Sequence, residues 1–461
     1  MKISVIGTGY LGATHAAGMA ELGFEVVGVD TDAARIRSLA RGEVPFFEPG
    51  LPELLRTHVE SGRLRFTTDL AEAAAFADIH FVCVGTPQGA NGAANLDYLH
   101  AVIDDLVPAL TRNCLIVGKS TVPVGTAEAL RERIAVLTPD GITVDLAWNP
   151  EFLREGHGVH DTLHPNRLVF GTTSPGAEWA LREVYAASIA EGSPVVVTNL
   201  PTAELVKVSA NAFLATKISF INAMAELCEL TGGDVTLLAD ALGHDDRIGR
   251  KFLGAGLGYG GGCLPKDVRA LIARADELGS GRSVEFLHGV DAVNVRRRDR
   301  VVDETLSLLR RSGSRVDGRV AVLGAAFKPL SDDVRDSPAL DVARRLHDAG
   351  AHVTVYDPQA NVSARSVAPE LTYAANVNAA LRKADVVLHL TEWAEFADLD
   401  PAEVRRVARG SVIIDARNAL DPAPWLAAGW DFRALGRVVE APALVSSAPA
   451  RRTGTSSVSS A

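Results

Sequence analysis

The sequence predicts an α/β protein with two doubly wound parallel-sheet domains joined by a long central helix and a helical region. Three observations carry this. Short apolar runs alternate with Ala/Leu-rich helical stretches from Met1 to Ala147. The same alternation returns from Arg319 to Asp415. Between them lies a strand-free stretch opened by one long helical pattern. Strand–helix alternation is the signature of a parallel sheet covered on both faces.

In chain order, Lys2–Ile6 reads as the first strand, followed by a Gly-rich turn and a helix ending near Gly23. Glu25–Val29 is the next strand and ends at Asp30; further strands are expected at Ile79–Val84, Leu115–Lys119 and Thr143–Ala147. Then Leu205, Val208, Ala212, Ile221, Met224 and Leu227 recur at helical spacing, with Pro201 suited to a helix start and Gly232-Gly233 to a stop. More helices run to about Arg311. Strands follow at Arg319–Leu323, His352–Tyr356, Asp385–Leu390 and Ser411–Asp415, with a Ser-Pro-initiated helix over Ser337–Ala349. The expected domains are 1–198, 199–312 and 313–440. The tail, 441–461, has too little apolar content to fold and is expected to be disordered.

Lys plus Arg number 46 and Asp plus Glu 57, a formal charge of −11. So acidic a chain is a poor general binder of nucleic acid or of an anionic membrane. It has no uninterrupted apolar run of roughly 18 residues, and its start lacks the pattern of a secretory leader, so the cytoplasm is the expected compartment. Cys83, Cys114, Cys228 and Cys263 form no CxxC pair, and no His/Cys cluster has zinc spacing, so no metal is expected. The first three read as small buried hydrophobes.

Gly7-Thr8-Gly9-Tyr10-Leu11-Gly12 follows a strand and opens a helix. That context makes it a dinucleotide turn of the Rossmann type: Gly7 for the tight turn, Gly9 for approach of the pyrophosphate to the helix N-terminus, Gly12 for close helix–strand packing. Asp30 suits the ribose hydroxyls and disfavours a 2′-phosphate, which points to NAD, although Arg35 lies only one helical turn further on. The second half has no glycine triplet in its first turn, Gly324-Ala325-Ala326-Phe327-Lys328.

Gly260-Gly261-Gly262-Cys263-Leu264-Pro265-Lys266-Asp267 precedes a helical pattern through Val268, Leu271, Ile272 and Ala275. Cys263 therefore stands at a helix N-terminus, where the dipole and Lys266 favour a thiolate, and the glycines leave room for a substrate carbon at sulfur. Lys207 and Asn211, four apart on the long helix, share a face and suit an oxyanion. In isolation such a pair is more often a solvated surface. Glu151 and Glu155 would share a face if their segment were helical. Lys119-Ser120-Thr121 closes a strand at the sheet edge where ligands sit.

Together these segments resemble the UDP-glucose/GDP-mannose dehydrogenase family, from Met1 to about Val438. The ordered motifs are GTGYLG, VGTP from Val84, KSTVPVGT from Lys119, NPEFLREG from Asn149, the Lys207/Asn211 helix, GGGCLPKD from Gly260, FKP from Phe327 and DDVRDSP from Asp332. The resemblance implies NAD-dependent oxidation of UDP-glucose to UDP-glucuronate by two hydride transfers, with GDP-mannose or an N-acetylated UDP-sugar as the alternative substrate. By it, Cys263 is the nucleophile, passing through a thiohemiacetal and a thioester. Lys207 and Asn211 steady oxyanions, Asp267 and Thr121 hold the catalytic water, and Glu151 serves thioester hydrolysis. It assigns cofactor contacts to Asp30, Arg35, Thr86, Thr121, Glu155, Lys266 and Arg335, beside the Gly7–Gly12 turn. Substrate contacts fall to Glu151, Phe152, Leu153, Arg154, Glu155, Lys207, Asn211, Phe252, Leu253, Gly254, Ala255, Gly256, Gly260 and Lys328. Arg247 matches an arginine that reaches a neighbouring subunit's site, which implies a homodimer through the central helix.

The sequence departs from the family at Gly262, where Ser is common, and at Ala255, where Pro is common. Asp245–Phe252 resembles the UDP-glucose branch more than the GDP-mannose branch. Two rival functions remain: a two-electron hydroxy-acid dehydrogenase, which needs neither the cysteine nor a second α/β domain, and a non-catalytic dinucleotide sensor, which needs none of the Cys, Lys, Asn and Asp set.

Overall fold

The structure is a computed structural model that describes residues 1–89, 91–311 and 318–439. The expected domain boundary at 312–313 and the expected disordered tail at 441–461 lie outside the described residues.

The first sheet comprises β1 (Lys2–Ile6), β2 (Glu25–Val29), β3 (Leu64–Thr67), β4 (Ile79–Val82), β5 (Cys114–Gly118), β6 (Val144–Trp148), β7 (Leu168–Thr172) and β8 (Val195–Thr198). Their spatial order is β3-β2-β1-β4-β5-β6-β7-β8. Neighbours run parallel except β6 and β7, which are antiparallel. Ile3, Val5, Ile79 and Phe81 are buried at the centre, as strands covered on both faces require. The order reverses between β1 and β4, and the crevice there is where doubly wound sheets bind ligands.

The second sheet comprises β9 (Arg319–Leu323), β10 (His352–Tyr356), β11 (Thr372–Tyr373), β12 (Val386–His389), β13 (Val412–Asp415) and β14 (Asp431–Ala434), all parallel, in the order β11-β10-β9-β12-β13-β14. Its first turn is built differently from that of the first sheet. Asp357, at the end of β10 and 1% exposed, accepts hydrogen bonds from Ala325 N (2.7 Å), Ala326 N (2.9 Å) and Trp393 Nε1 (3.0 Å). The Asp357 carboxylate thus takes two amides of this turn, where Asp30 of the first sheet takes the Thr8 amide alone.

Between the sheets runs the helix Leu200–Thr231, 32 residues and roughly 48 Å long. The Asn199 side chain caps its start by accepting from Thr202 N at 3.0 Å, Pro201 occupies the first turn, and Gly232 at φ 76° ends it. It packs against the helices Leu264–Glu277 and Phe286–Arg311. Among the described residues no helix is long and apolar enough to cross a membrane.

Candidate active site

The crevice at the end of β1 fits a dinucleotide. Gly7 has φ 89°, in the left-handed region, and a Cβ on Gly12 would meet the Gly7 carbonyl oxygen at 1.8 Å, so glycine is required at both. Nothing lies within 4 Å of a Cβ built on Gly9, which leaves backbone approach open above the helix Tyr10–Glu21. Asp30 Oδ2 accepts from Thr8 N (2.8 Å) and pairs with Arg35 Nη1 (2.9 Å). Burial acts to raise the Asp30 pKa, but the Asp32 and Thr8 amides and Arg35 outweigh it and lower it. Leu11 packs against the first-sheet core.

A second cluster forms where the long helix meets the cysteine helix. Lys207 and Asn211 are 5% and 7% exposed, so they face the interior and not solvent. Lys207 Nζ lies 2.9 Å from Glu151 Oε1, and Asn211 Nδ2 donates to Asp267 Oδ2 at 2.6 Å. Cys263 is the N-cap residue of Leu264–Glu277, and its carbonyl accepts from Asp267 N at 2.9 Å. Lys207, Glu151, Asp267 and Glu155 all act electrostatically on the sulfur.

The expected thiolate is not what this setting favours. Burial pushes the Cys263 thiol up to about 12; Lys207 lowers it, but Glu151, Asp267 and Glu155 raise it. Cys263 is nonetheless exposed as a residue. Lys266 does not serve the sulfur in the way expected, because its Nζ pairs with Asp267 Oδ1 at 2.7 Å. Lys207 is itself held above the usual lysine range: burial lowers it, and Glu151, Cys263 and Asp267 more than compensate.

The remaining predicted residues fall into several groups. Thr121, Lys266 and Asp267 line one small cavity, and Lys266 Nζ donates to Thr86 Oγ1 (3.4 Å), which donates to Thr121 O (2.7 Å). Across the cleft, Lys328 Nζ donates to Glu155 O (2.6 Å) and Arg335 pairs with Glu155 (3.4 Å) and Asp333 (2.5 Å). Glu151–Glu155 is not helical, so its two acids part: Glu151 turns to Lys207 and to Leu153 N (2.6 Å), Glu155 to Ser331 (2.7 Å). Phe152 carries the Arg167 guanidinium over its ring, and Arg154 pairs with Asp161 at 2.7 Å. In the loop at Phe252–Gly256, Phe252 is exposed at φ 65°, Gly254 is exposed, Leu253 and Ala255 are buried, and Gly256 N donates to Asn222 Oδ1 at 2.9 Å. Arg247 stands apart from this cleft, exposed and paired with Asp245 at 2.6 Å.

Sequence reasoning missed two features. Glu48, 2% exposed, accepts from the Tyr10 hydroxyl and from Gly156 N and Gly158 N (2.7 Å each), tying the dinucleotide turn to the Glu155 segment. It stands in no motif spacing. The cysteine-loop glycines also answer to the second domain: a Cβ on Gly260 would meet Asp336 O at 2.3 Å, and one on Gly262 the Arg335 guanidinium at 2.2 Å. Gly262, with no side chain, leaves that space to Arg335.

A dinucleotide crevice facing an exposed cysteine backed by buried Lys, Asn and Asp, with a second α/β domain beside the cleft, defines an NAD-dependent dehydrogenase. Residues 1–189, 201–296 and 321–422 match the NAD binding, central and UDP binding domains of the UDP-glucose/GDP-mannose dehydrogenase family. The chain belongs to that family. It is 42% identical over 438 residues to the UDP-glucose 6-dehydrogenase TuaD of Bacillus subtilis, covering 95% of this chain and 93% of the relative. It is 41% identical over 447 residues to a UDP-glucose 6-dehydrogenase of Pseudomonas aeruginosa, covering 95% and 98%. Its fold is similar to a solved UDP-glucose dehydrogenase from Pyrobaculum islandicum, with TM-score 0.83, 39% identity and coverage of 91% and 94%. A UDP-D-ManNAc dehydrogenase from Pyrococcus horikoshii has a similar fold at 26% identity, with TM-score 0.82 and coverage of 95% and 99%.

Proposed function

We propose that this chain oxidises the C6 hydroxymethyl group of UDP-glucose to the carboxylate, giving UDP-glucuronate, with Cys263 as a covalent nucleophile. The observation that carries this is the convergence of Cys263, Lys207, Asn211, Asp267 and Glu151 on one cleft. UDP-glucose is chosen over its N-acetylated relatives because the relatives near 40% identity are UDP-glucose 6-dehydrogenases, whereas the ManNAc enzyme stands at 26%.

The Gly7–Gly12 turn and Asp30 would hold NAD, which when bound would supply the hydride acceptor for both oxidations. Lys207 and Asn211 donate to the substrate oxygen as its charge develops, in a cleft where such donors act strongly. Asp267, with Thr121, holds the water that receives the first proton. The resulting aldehyde adds Cys263: the S–C bond forms, the thiol gives up its proton and the carbonyl oxygen gains one. A thiol with a raised pKa suits that proton-neutral step, because no free thiolate has to accumulate. The second oxidation yields the thioester, and Glu151 directs water to its carbonyl carbon. Phe152–Glu155, Phe252–Gly256, Gly260 and Lys328 hold the sugar nucleotide.

The domain limits near 198 and 312, a cytoplasmic location and a homodimer belong to the same reading. Phe213, Phe220 and Leu227 support the dimer: they are exposed, seven residues apart on the long helix, and so form one apolar seam. Arg247 would cross that interface to the partner's substrate. A panel of UDP-glucose, GDP-mannose and N-acetylated UDP-sugars, assayed for NADH, tests the substrate; a higher kcat/KM for any other sugar overturns it.

A further inference from the structure

Behind Glu151 the first domain contains a second cavity, of about 40 Å³ open to the centres of water molecules. One water needs roughly 10–15 Å³ by that measure, so the cavity holds two or three. Its lining includes Glu151, Lys119, Asn149, Tyr185 and His15, and it reaches the surface at Asn166, which is exposed.

The inner wall is polar and buried. Lys119 Nζ donates to Asn149 Oδ1 (3.0 Å) and to Tyr185 OH (3.3 Å), and the Tyr185 hydroxyl donates to the same Asn149 oxygen (2.6 Å). Asn149 Nδ2 donates to Val169 O (3.0 Å). Lys119 is 6% exposed and has three protons for these two acceptors. His15 is 2% exposed, and its Nε2 has no protein partner. Burial lowers Lys119 to about 8, and burial followed by the Lys119 charge keeps His15 neutral. A buried lysine and a buried unpaired ring nitrogen around a cavity of this size are partners for water.

Nothing in the oxidations uses these groups. Hydrolysis needs a water at Glu151, and Glu151 lines this cavity. We propose that the Lys119 cavity is a rear conduit that delivers the hydrolytic water to Glu151, with Lys119 as its positioning residue. The inference rests on the thioester reading above. In the step, water oxygen bonds to the acyl carbon and the C–S bond breaks. One water proton returns to the Cys263 sulfur. The acid forms as carboxylate and releases the other proton through Glu151 to the conduit waters.

The test follows NADH by stopped flow and Cys263 by rapid-quench intact-mass spectrometry, with UDP-glucose and NAD, in Lys119→Met, Asn166→Trp and a Glu151→Gln control. Lys119→Met should give a burst of two NADH per site, an acyl adduct on Cys263, and a steady state at least tenfold slower, with kcat/KM for UDP-glucose unchanged and KM lowered along with kcat. Asn166→Trp, which narrows the surface mouth, should give the same pattern with a several-fold loss. A merely structural role would slow turnover without a burst or an adduct. If Lys119→Met fails to fold, Asn166→Trp decides alone. An adduct in Glu151→Gln with none in either conduit variant overturns the conduit. No adduct in Glu151→Gln overturns the thioester reading itself.

Discussion

At the scale of single residues, charge placement governs what the cleft does. Asp30 is bound on one side by the Thr8 amide and on the other by Arg35, so its carboxylate is fixed in place and partly neutralised, and by the proposed reading it meets the cofactor's ribose. A charge-assisted hydrogen bond to the ribose is worth about 1.5–3 kcal/mol, roughly ten- to a hundredfold. NAD should therefore exceed NADP in kcat/KM, and Asp30→Asn should narrow the gap by about that factor. Equal efficiency of the two cofactors in the wild-type enzyme would remove Asp30 from this role. Burial raises the Cys263 thiol to about 12. The thiolate is the reactive form, so inactivation of the free enzyme by iodoacetamide should climb about tenfold per pH unit from pH 7 to 10 without levelling. A plateau near pH 8 would mean that the thiol is already activated. The sequence suggested such activation from the helix N-terminus and Lys266. It could not reveal that Lys266 is paired with Asp267, or that the charges of Glu151 and Glu155, on a distant segment, raise the thiol.

At the scale of elements, the long helix organises the site from both ends of its first turns. Lys207 and Asn211 reach the cysteine helix, while Glu204 reaches the other way. Glu204 is 2% exposed and accepts from Gly125 N and Ala127 N, 2.7 Å each, which fixes the loop after Thr121 and the start of the helix Thr126–Leu137. Glu204→Ala leaves two buried amides unpaired, at about 1–3 kcal/mol each. Tm should fall by several degrees, and amide exchange should quicken at Thr121–Ala127. A Tm within one degree of wild type would show that the loop is held by other contacts. The long helix was legible because its apolar spacing and both its end signals agree. Central strands were legible for the same kind of reason: Lys2–Ile6 and Arg319–Leu323 are short apolar runs buried on both faces. Leu64–Thr67 and Asp431–Ala434 escaped because edge strands carry polar and charged residues in a pattern that loops share. Glu151 and Glu155 would share a face only in a helix, and the segment is not one: Pro150 precedes it and Gly156 adopts φ 79°.

At the scale of the whole molecule, the active cleft is assembled from three parts of the chain and, by the proposed dimer, from two subunits. Arg298 and Arg269 converge on Asp336 at 3.1 and 3.3 Å, anchoring the second domain's loop against the cysteine loop. Residues nearly 70 positions apart meet there, and no local pattern announces such a contact. Phe220→Glu should give a monomer by sedimentation, and a nearly inactive one, because Arg247 would no longer reach a partner's substrate. Mixing Arg247→Ala with Cys263→Ser under subunit exchange should restore about a quarter of wild-type activity. Half the dimers are then mixed, and each carries one intact site. A fully active Phe220→Glu monomer would place all the necessary groups within one subunit.

The account turns on a covalent, four-electron oxidation at Cys263. With UDP-glucose limiting and NAD in excess, the NADH formed per sugar consumed measures that directly. The wild-type enzyme should form two, and Cys263→Ser should fail to sustain turnover to the acid. One NADH per sugar in the wild type, or two at the wild-type rate in Cys263→Ser, would contradict it.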